Sequence, residues 1–111
     1  MRRLARAAEI RQIGREGKRI RTPHCDVRIS ASLLLSGRVG IVVPKFGRHS
    51  VDRNRVKRRL SELVRCELLP HLHHIDVLIR TRPEAYGASF DALRDDVMAI
   101  RKRVAAPSTG A

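Results

Sequence analysis

A single α+β domain with its helices packed on one sheet is predicted by three observations. The chain has 111 residues, enough for one ordinary domain and too few for two. Its apolar residues, 42% of the total, switch along the chain between a period of two and a period near 3.6. The two patterns interleave in the order helix, strands, helix, strand, helix.

The elements follow in order. Residues 1–8 read as a basic tail. Glu9 to Glu16 suits a short helix with Ile10 and Ile13 turned inward; Gly14 weakens it and Gly17 ends it. Residues 25–35 alternate. Cys25, Val27, Ile29, Ala31, Leu33 and Leu35 share one face; Asp26, Arg28, Ser30 and Ser32 share the other, as in a half-buried strand. Ser36-Gly37 reads as a turn into a second strand, Arg38 to Val43, so residues 25–43 are predicted to form a hairpin. Pro44 closes it. After the loop Lys45-Phe46-Gly47-Arg48-His49, a helix is predicted from Ser50 or Asp52 to Leu69. Val56, Leu60, Leu63 and Val64 form its apolar stripe, Ser50 or Asp52 can cap its start, and Pro70 lies just past its end. Ile75 to Thr81 alternates again. Arg82-Pro83 and Gly87 mark a loop. Ser89 can cap a last helix whose inner face carries Phe90, Leu93, Val97, Ile100 and Val104. Residues 105–111 read as a loose tail. No repeat or linker divides the chain, so residues 1–111 are one unit.

Lys and Arg number 24 against 11 Asp and Glu, a net charge of +13. No fold requires that excess; it argues for a polyanionic partner, nucleic acid before a membrane surface. The charge is also segregated. Residues 1–21 carry eight basic and two acidic side chains, and residues 53–65 carry six and one. Residues 66–100 carry three and six. A halo serving only solubility needs no negative region, so the pattern indicates a directed binding face. Cys25 and Cys66 do not make a disulfide framework, which suggests a reducing compartment, and the cytoplasm is the expected location. The longest apolar run is far short of the ~20 residues that span a bilayer. Met1-Arg2-Arg3 is followed by no apolar core, so neither a secretory signal nor a membrane partner is expected.

The segment from Asp52 to Arg65 carries most of the information. On a helix, Ser61, Asn54, Arg65 and Arg58 fall opposite Val56, Leu60 and Leu63, flanked by Arg55, Arg59, Glu62 and Lys57. So many cations repel one another at i, i+3 and i, i+4, and those in the N-terminal half oppose the helix dipole. Phosphates relieve both penalties, because Arg forks and helix N-termini bind phosphate oxygens.

The stretch 37–65, and within it Arg53-Asn54-Arg55-Val56-Lys57-Arg58, resembles the protein component of bacterial ribonuclease P. Ile75–Pro83 and Phe90–Arg103 resemble that family's following strand and last helix. The match is good over 37–104 and loose over 3–35. The resemblance implies a compact αβββαβα domain with a small mixed sheet, a fourth strand near Arg19–Thr22 and a left-handed βαβ crossover, against the usual rule. It implies a protein subunit that binds a catalytic RNA through the signature helix and the single-stranded 5′ leader of precursor tRNA in a cleft between the first helix and the sheet. The RNA, with magnesium that it mainly holds itself, removes the leader; the protein, a monomer within the ribonucleoprotein, supplies no catalytic residue. By position, Arg53, Asn54, Arg55, Lys57, Arg58 and Arg65 are the signature residues. Arg59 and the loop residues Lys45, Arg48 and His49 join them as RNA-binding candidates. Ile10, Ile13, Gly14, Arg28 and Phe46 are the leader-cleft candidates. Where the family often has another Arg, this chain has Ser61, and no aromatic precedes Phe46.

Other groupings carry less. His71, His73 and His74 follow Pro70 without a metal-ligand spacing and are expected to fill the loop, so no metal site is assigned. Cys25 and Cys66 are expected to be small buried residues. Asp91, Asp95 and Asp96 are expected to be solvated. Phe90 is assigned to the core, which leaves Phe46 as the better base-stacking candidate. Two other readings compete: a ribosomal or ribosome-associated RNA-binding protein, and a nuclease with its own carboxylate-bound metals.

Overall fold

Among the described residues, the strand with the longest run of successively buried residues, 76–79, takes an interior place in the sheet. The computed structural model describes residues 7–45, 47 and 49–105, without the side chains of residues 7, 33–36 and 105. Over these, three helices and four strands follow in chain order. They are α1 (Ala7–Glu16), β1 (Lys18–Arg21), β2 (Cys25–Ser36), β3 (Val39–Val42), α2 (Ser50–Leu63), β4 (His73–Thr81) and α3 (Phe90–Ala105). The sheet order is β1-β2-β4-β3, with β3 parallel to β4 and the other pairs antiparallel. In β4, Asp76, Val77, Leu78 and Ile79 are buried in succession, as a strand covered on both faces requires. This is the mixed α+β sheet that the resemblance implies, with the extra strand one residue earlier than expected.

The predicted 25–43 hairpin does not form. β4 lies between β2 and β3, and the Ser36-Gly37-Arg38 link spans it. The Gly37 amide donates to the Leu72 carbonyl at 3.4 Å, the Arg38 amide to Asp76 Oδ1 at 3.0 Å, and the Val77 amide to the Arg38 carbonyl at 2.9 Å. The backbones approach so closely that a Cβ at Gly37 would sit 1.9 Å from the Ile75 carbonyl oxygen. A short apolar strand after a glycine is compatible with a hairpin or a crossover, and only the later strand decides.

β4 alternation separates two packing zones. Val77 and Ile79 join Cys25, Val27 and Val39 in a core closed by Val56, Leu60 and Leu63 of α2 and Leu93, Val97 and Ile100 of α3. Leu78 points the other way and packs with Ile13, Ile10 and Val42. The helices therefore lie on both faces of the sheet, α2 and α3 on one and α1 alone on the other.

Several expectations change. α2 is α-helical only to Leu63; a π turn, Val64–Leu68, and a 3₁₀ turn, Leu69–His71, complete it. Pro70 has no N–H and its ring crowds the preceding turn, so the hydrogen-bond ladder rearranges ahead of it. The residue capping α2 is His49, without a side-chain hydrogen bond, rather than Ser50 or Asp52. Ser89 does cap α3, its Oγ accepting from the Ala92 amide at 3.1 Å. Ala31, assigned to the inner face of β2, is exposed near a register shift. Cys66 is exposed, 3.6 Å from a Glu62 oxygen, because ten residues after Val56 it falls on the side of Arg55 and Arg59 rather than on the apolar stripe. Phe90 is 42% exposed, since the core stripe of α3 begins one turn later at Leu93. Leu33, Leu35, Phe46, Arg48 and most of both tails lie outside the residues whose structure or side chains are described.

Candidate nucleic-acid interface

Two cationic surfaces result, one on each side of the sheet. On α2, burial of Val56, Leu60 and Leu63 forces the intervening polar residues outward. Asn54, Arg55, Lys57 and Arg58 are exposed and Arg59 is half-buried. Arg55, Lys57, Arg58 and Arg59 form no ion pair among the described residues. Asp52 is the single acid in the first turn. Lys45 and His49 are exposed just ahead of the helix, in a loop that turns through Gly47 at φ +75°.

Two of the candidates are already engaged. Arg53 Nε donates to the Val43 carbonyl at 3.2 Å and so ties the start of α2 to the end of β3. Arg65 pairs with Glu62 at 2.5 Å on the surface. That hydrogen bond holds the Glu62 carboxyl below the usual carboxylate range and raises the Arg65 guanidinium. A phosphate contact by Arg65 has to displace this exposed, weak pair.

The second surface is the cleft beside α1. A cavity of about 320 Å³ is lined by Gly14 of α1, Arg19 of β1, Asp26 and Arg28 of β2, and Leu78 and Arg80 of β4. Gly14 and Arg28 thus come together as expected. Ile13 is buried beneath α1 and Ile10 is partly buried beside it, so these two anchor the helix. Arg28 reaches the Gly17 carbonyl at 3.3 Å, and Arg19 pairs with Asp26 at 3.2 Å. Arg19, Leu78 and Arg80 escaped the sequence reading. The signal was the strand period: Leu78 and Arg80 alternate away from Val77 and Ile79.

Arg38 fixes α1 over this cleft. It donates to Glu9 of α1 at 2.7 Å and to Asp76 of β4 at 3.0 Å. Hydrogen bonds first to Asp76 and then to Glu9 raise its already high pKa, so it stays charged. At the other end of the sheet, Asp96 of α3 holds the β1–β2 turn. Its carboxylate is 1% exposed and accepts from the Thr22 hydroxyl at 2.8 Å and from the His24 amide at 2.8 Å. It also lies 3.0 Å from His24 Nδ1. Asp96 is therefore not the solvated carboxylate expected; it sits among the apolar positions of α3, three residues after Leu93. Burial, then the Asp96 charge, pushes the Cys25 thiol up to about 12, which makes it unreactive. His71, His73 and His74 are exposed. Among the described residues no group of three or more His, Cys, Asp or Glu side chains is placed to hold a metal ion, so they do not fit a magnesium cage. No described helix is long and apolar enough to cross a membrane.

The family model for ribonuclease P matches residues 1–105. The chain belongs to the ribonuclease P protein family. The ribonuclease P protein component of Chloroflexus aurantiacus is 34% identical over 104 residues, 91% of this chain and 76% of the relative. That of Thermus thermophilus is 50% identical over 66 residues, 59% of this chain and 39% of the relative. Among solved structures, the ribonuclease P proteins of Staphylococcus aureus and Thermotoga maritima each superpose with a TM-score of 0.82. Each comparison covers 94% of this chain and 98% of the other, at 21% and 22% identity. They show the same fold. Membership of the ribonuclease P family favours the first of the three readings over a ribosomal protein or a free-standing nuclease.

Proposed function

We propose that this chain is the RNA-binding subunit of ribonuclease P in the cytoplasm, acting as a monomer within the ribonucleoprotein. The catalytic RNA lies on the exposed face of α2, against Asn54, Arg55, Lys57, Arg58 and Arg59, with Lys45 and His49 beside them. The 5′ leader of precursor tRNA lies in the cleft of Gly14, Arg19, Arg28 and Arg80. Magnesium belongs to the RNA, which cleaves the phosphodiester, and no step runs through a protein side chain. The observation that carries this reading is that Arg55, Lys57, Arg58 and Arg59, outside the buried stripe of α2, form no ion pair among the described residues. A helix selected for its own stability gains nothing from that arrangement, whereas a phosphate backbone neutralises it.

The test is reconstitution with a bacterial ribonuclease P RNA. At low magnesium the protein should restore cleavage of precursor tRNA at the 5′ end. Arg55→Ala and Arg58→Ala should each flatten the salt dependence of RNA binding by about one phosphate contact, a change of ~0.9 in the log–log slope. Site-specific cutting by RNA-free protein, or unchanged slopes in both variants, overturns the proposal.

A further inference from the structure

Two large apolar side chains are exposed among the described residues, Val51 at 68% and Phe90 at 42%, and they line the same cavity. The cavity, about 530 Å³, lies between α2 and the start of α3; among the described residues its other walls are Arg55, Arg58, Arg59 and Glu62. Along α2 the spacing is i, i+4, i+7, i+8 and i+11, one stripe facing Phe90. A lone exposed hydrophobe is ordinary. Here two meet three arginines that form no ion pair among the described residues, and the one acid, Glu62, is held by Arg65.

That lining selects a ligand with both a flat apolar face and a negative charge. A regular RNA duplex offers phosphates to the arginines and leaves the Phe90 ring uncovered. An apolar peptide covers the ring but strips water from three unpaired guanidinium groups, which is costly. A nucleotide turned out of its helix satisfies both: its base stacks on an aromatic ring or a guanidinium plane, and its phosphate takes an Arg fork. We propose that this cavity receives one unstacked nucleotide of the partner RNA, its base against Phe90 and Val51 and its phosphate on Arg55 and Arg58. Glu62 keeps the phosphate toward those arginines by repulsion. This rests on the RNA-binding reading above and adds a base pocket to what is otherwise a backbone contact.

The chain contains no tryptophan, so Phe90→Trp introduces a single indole reporter at the pocket. The probes are a bacterial ribonuclease P RNA and a fully paired RNA duplex. With ribonuclease P RNA, the indole emission should be quenched at saturation. Phe90→Ala should bind that RNA at least about fivefold more weakly, the low end of what base stacking contributes. Its salt slope should match the wild type, because stacking releases no counterions. Both variants should bind the paired duplex as the wild type does and stay folded at the assay temperature, with Phe90→Ala melting somewhat lower because more than half of the ring is covered. Equal affinity of Phe90→Ala and wild type for ribonuclease P RNA, or unchanged indole emission at saturation, overturns the pocket while leaving the RNA-binding reading intact. Failure of the wild type to bind either RNA overturns both.

Discussion

Asp96→Ala should cost the domain about 2–4 kcal/mol, although the residue lies far from both cationic surfaces in sequence. The carboxylate is 1% exposed and receives the Thr22 hydroxyl, the His24 amide and the His24 ring. Hydrogen bonds to a charged group contribute ~1.5–3 kcal/mol each, but three do not simply add. Thr22 keeps a second bond, to the Cys25 carbonyl at 3.2 Å, so its hydroxyl is not orphaned. The His24 side chain is 21% exposed, so water recovers part of its loss. Removing a buried charge also returns some desolvation cost. These offsets place the expected loss below the ~3–5 kcal/mol typical of breaking a fully buried pair. Asp96→Asn keeps one acceptor oxygen and should cost about half as much. Urea denaturation measures both, with the slope against urea unchanged; in a melt the Ala variant should lose roughly 8–16 °C. A loss under about 1 kcal/mol for Asp96→Ala would show that the β1–β2 turn is held by other contacts, such as the Arg82 guanidinium donating to the Thr22 and Pro23 carbonyls, and would refute the anchoring role.

Three further outcomes are expected. Gly37→Ala should destabilise by about 3 kcal/mol, because its Cβ would meet the Ile75 carbonyl oxygen at 1.9 Å and Leu72 Cβ at 2.8 Å; thermal melts check this. Leu60→Ala, at a fully buried position, should cost about 2–5 kcal/mol, whereas Arg58→Ala on the opposite face should leave the urea midpoint nearly unchanged. Iodoacetamide at pH 8 should modify Cys66 and spare Cys25, because a pKa raised to about 12 leaves almost no thiolate there below pH 10; mass mapping after denaturation in urea should show both sites modified.

Element identity was legible wherever periodicity was long and unbroken. The stripes of α2 and α3, the alternation of β4 and the Ser89 cap were all readable because each is a local pattern. Strand order was not, because β3 is short and its partner lies some thirty residues later. Gly37 signalled a change of direction, but the close approach that makes it necessary comes from β4. The errors at Cys66, Phe90 and Asp96 have different causes. Residue type suggested burial of Cys66, but its helical position lies beside Arg55 and Arg59, away from the apolar stripe. Phe90 sits in the first turn of α3, ahead of its packed stretch, and Asp96 borders the apolar stripe, where it accepts hydrogen bonds from Thr22 and His24.

The candidate site divides along the same line. The cations of α2 belong to one helix, so their common face follows from spacing alone. The cleft draws Gly14, Arg19, Arg28 and Arg80 from four elements, and only the sheet order brings them together. That order has a functional consequence. Val77 and Ile79 face the core under α2 and α3, while Leu78 faces α1, so the two surfaces lie on opposite sides of one sheet. In the proposed function a rigid β4 thus separates the RNA on α2 from the leader beside α1. Arg38 joins α1 to that strand through Glu9 and Asp76, and Asp96 joins the β1–β2 turn to α3. The charge excess that first pointed to a polyanion is then two excesses, one on α2 and one beside α1, on opposite sides of β4.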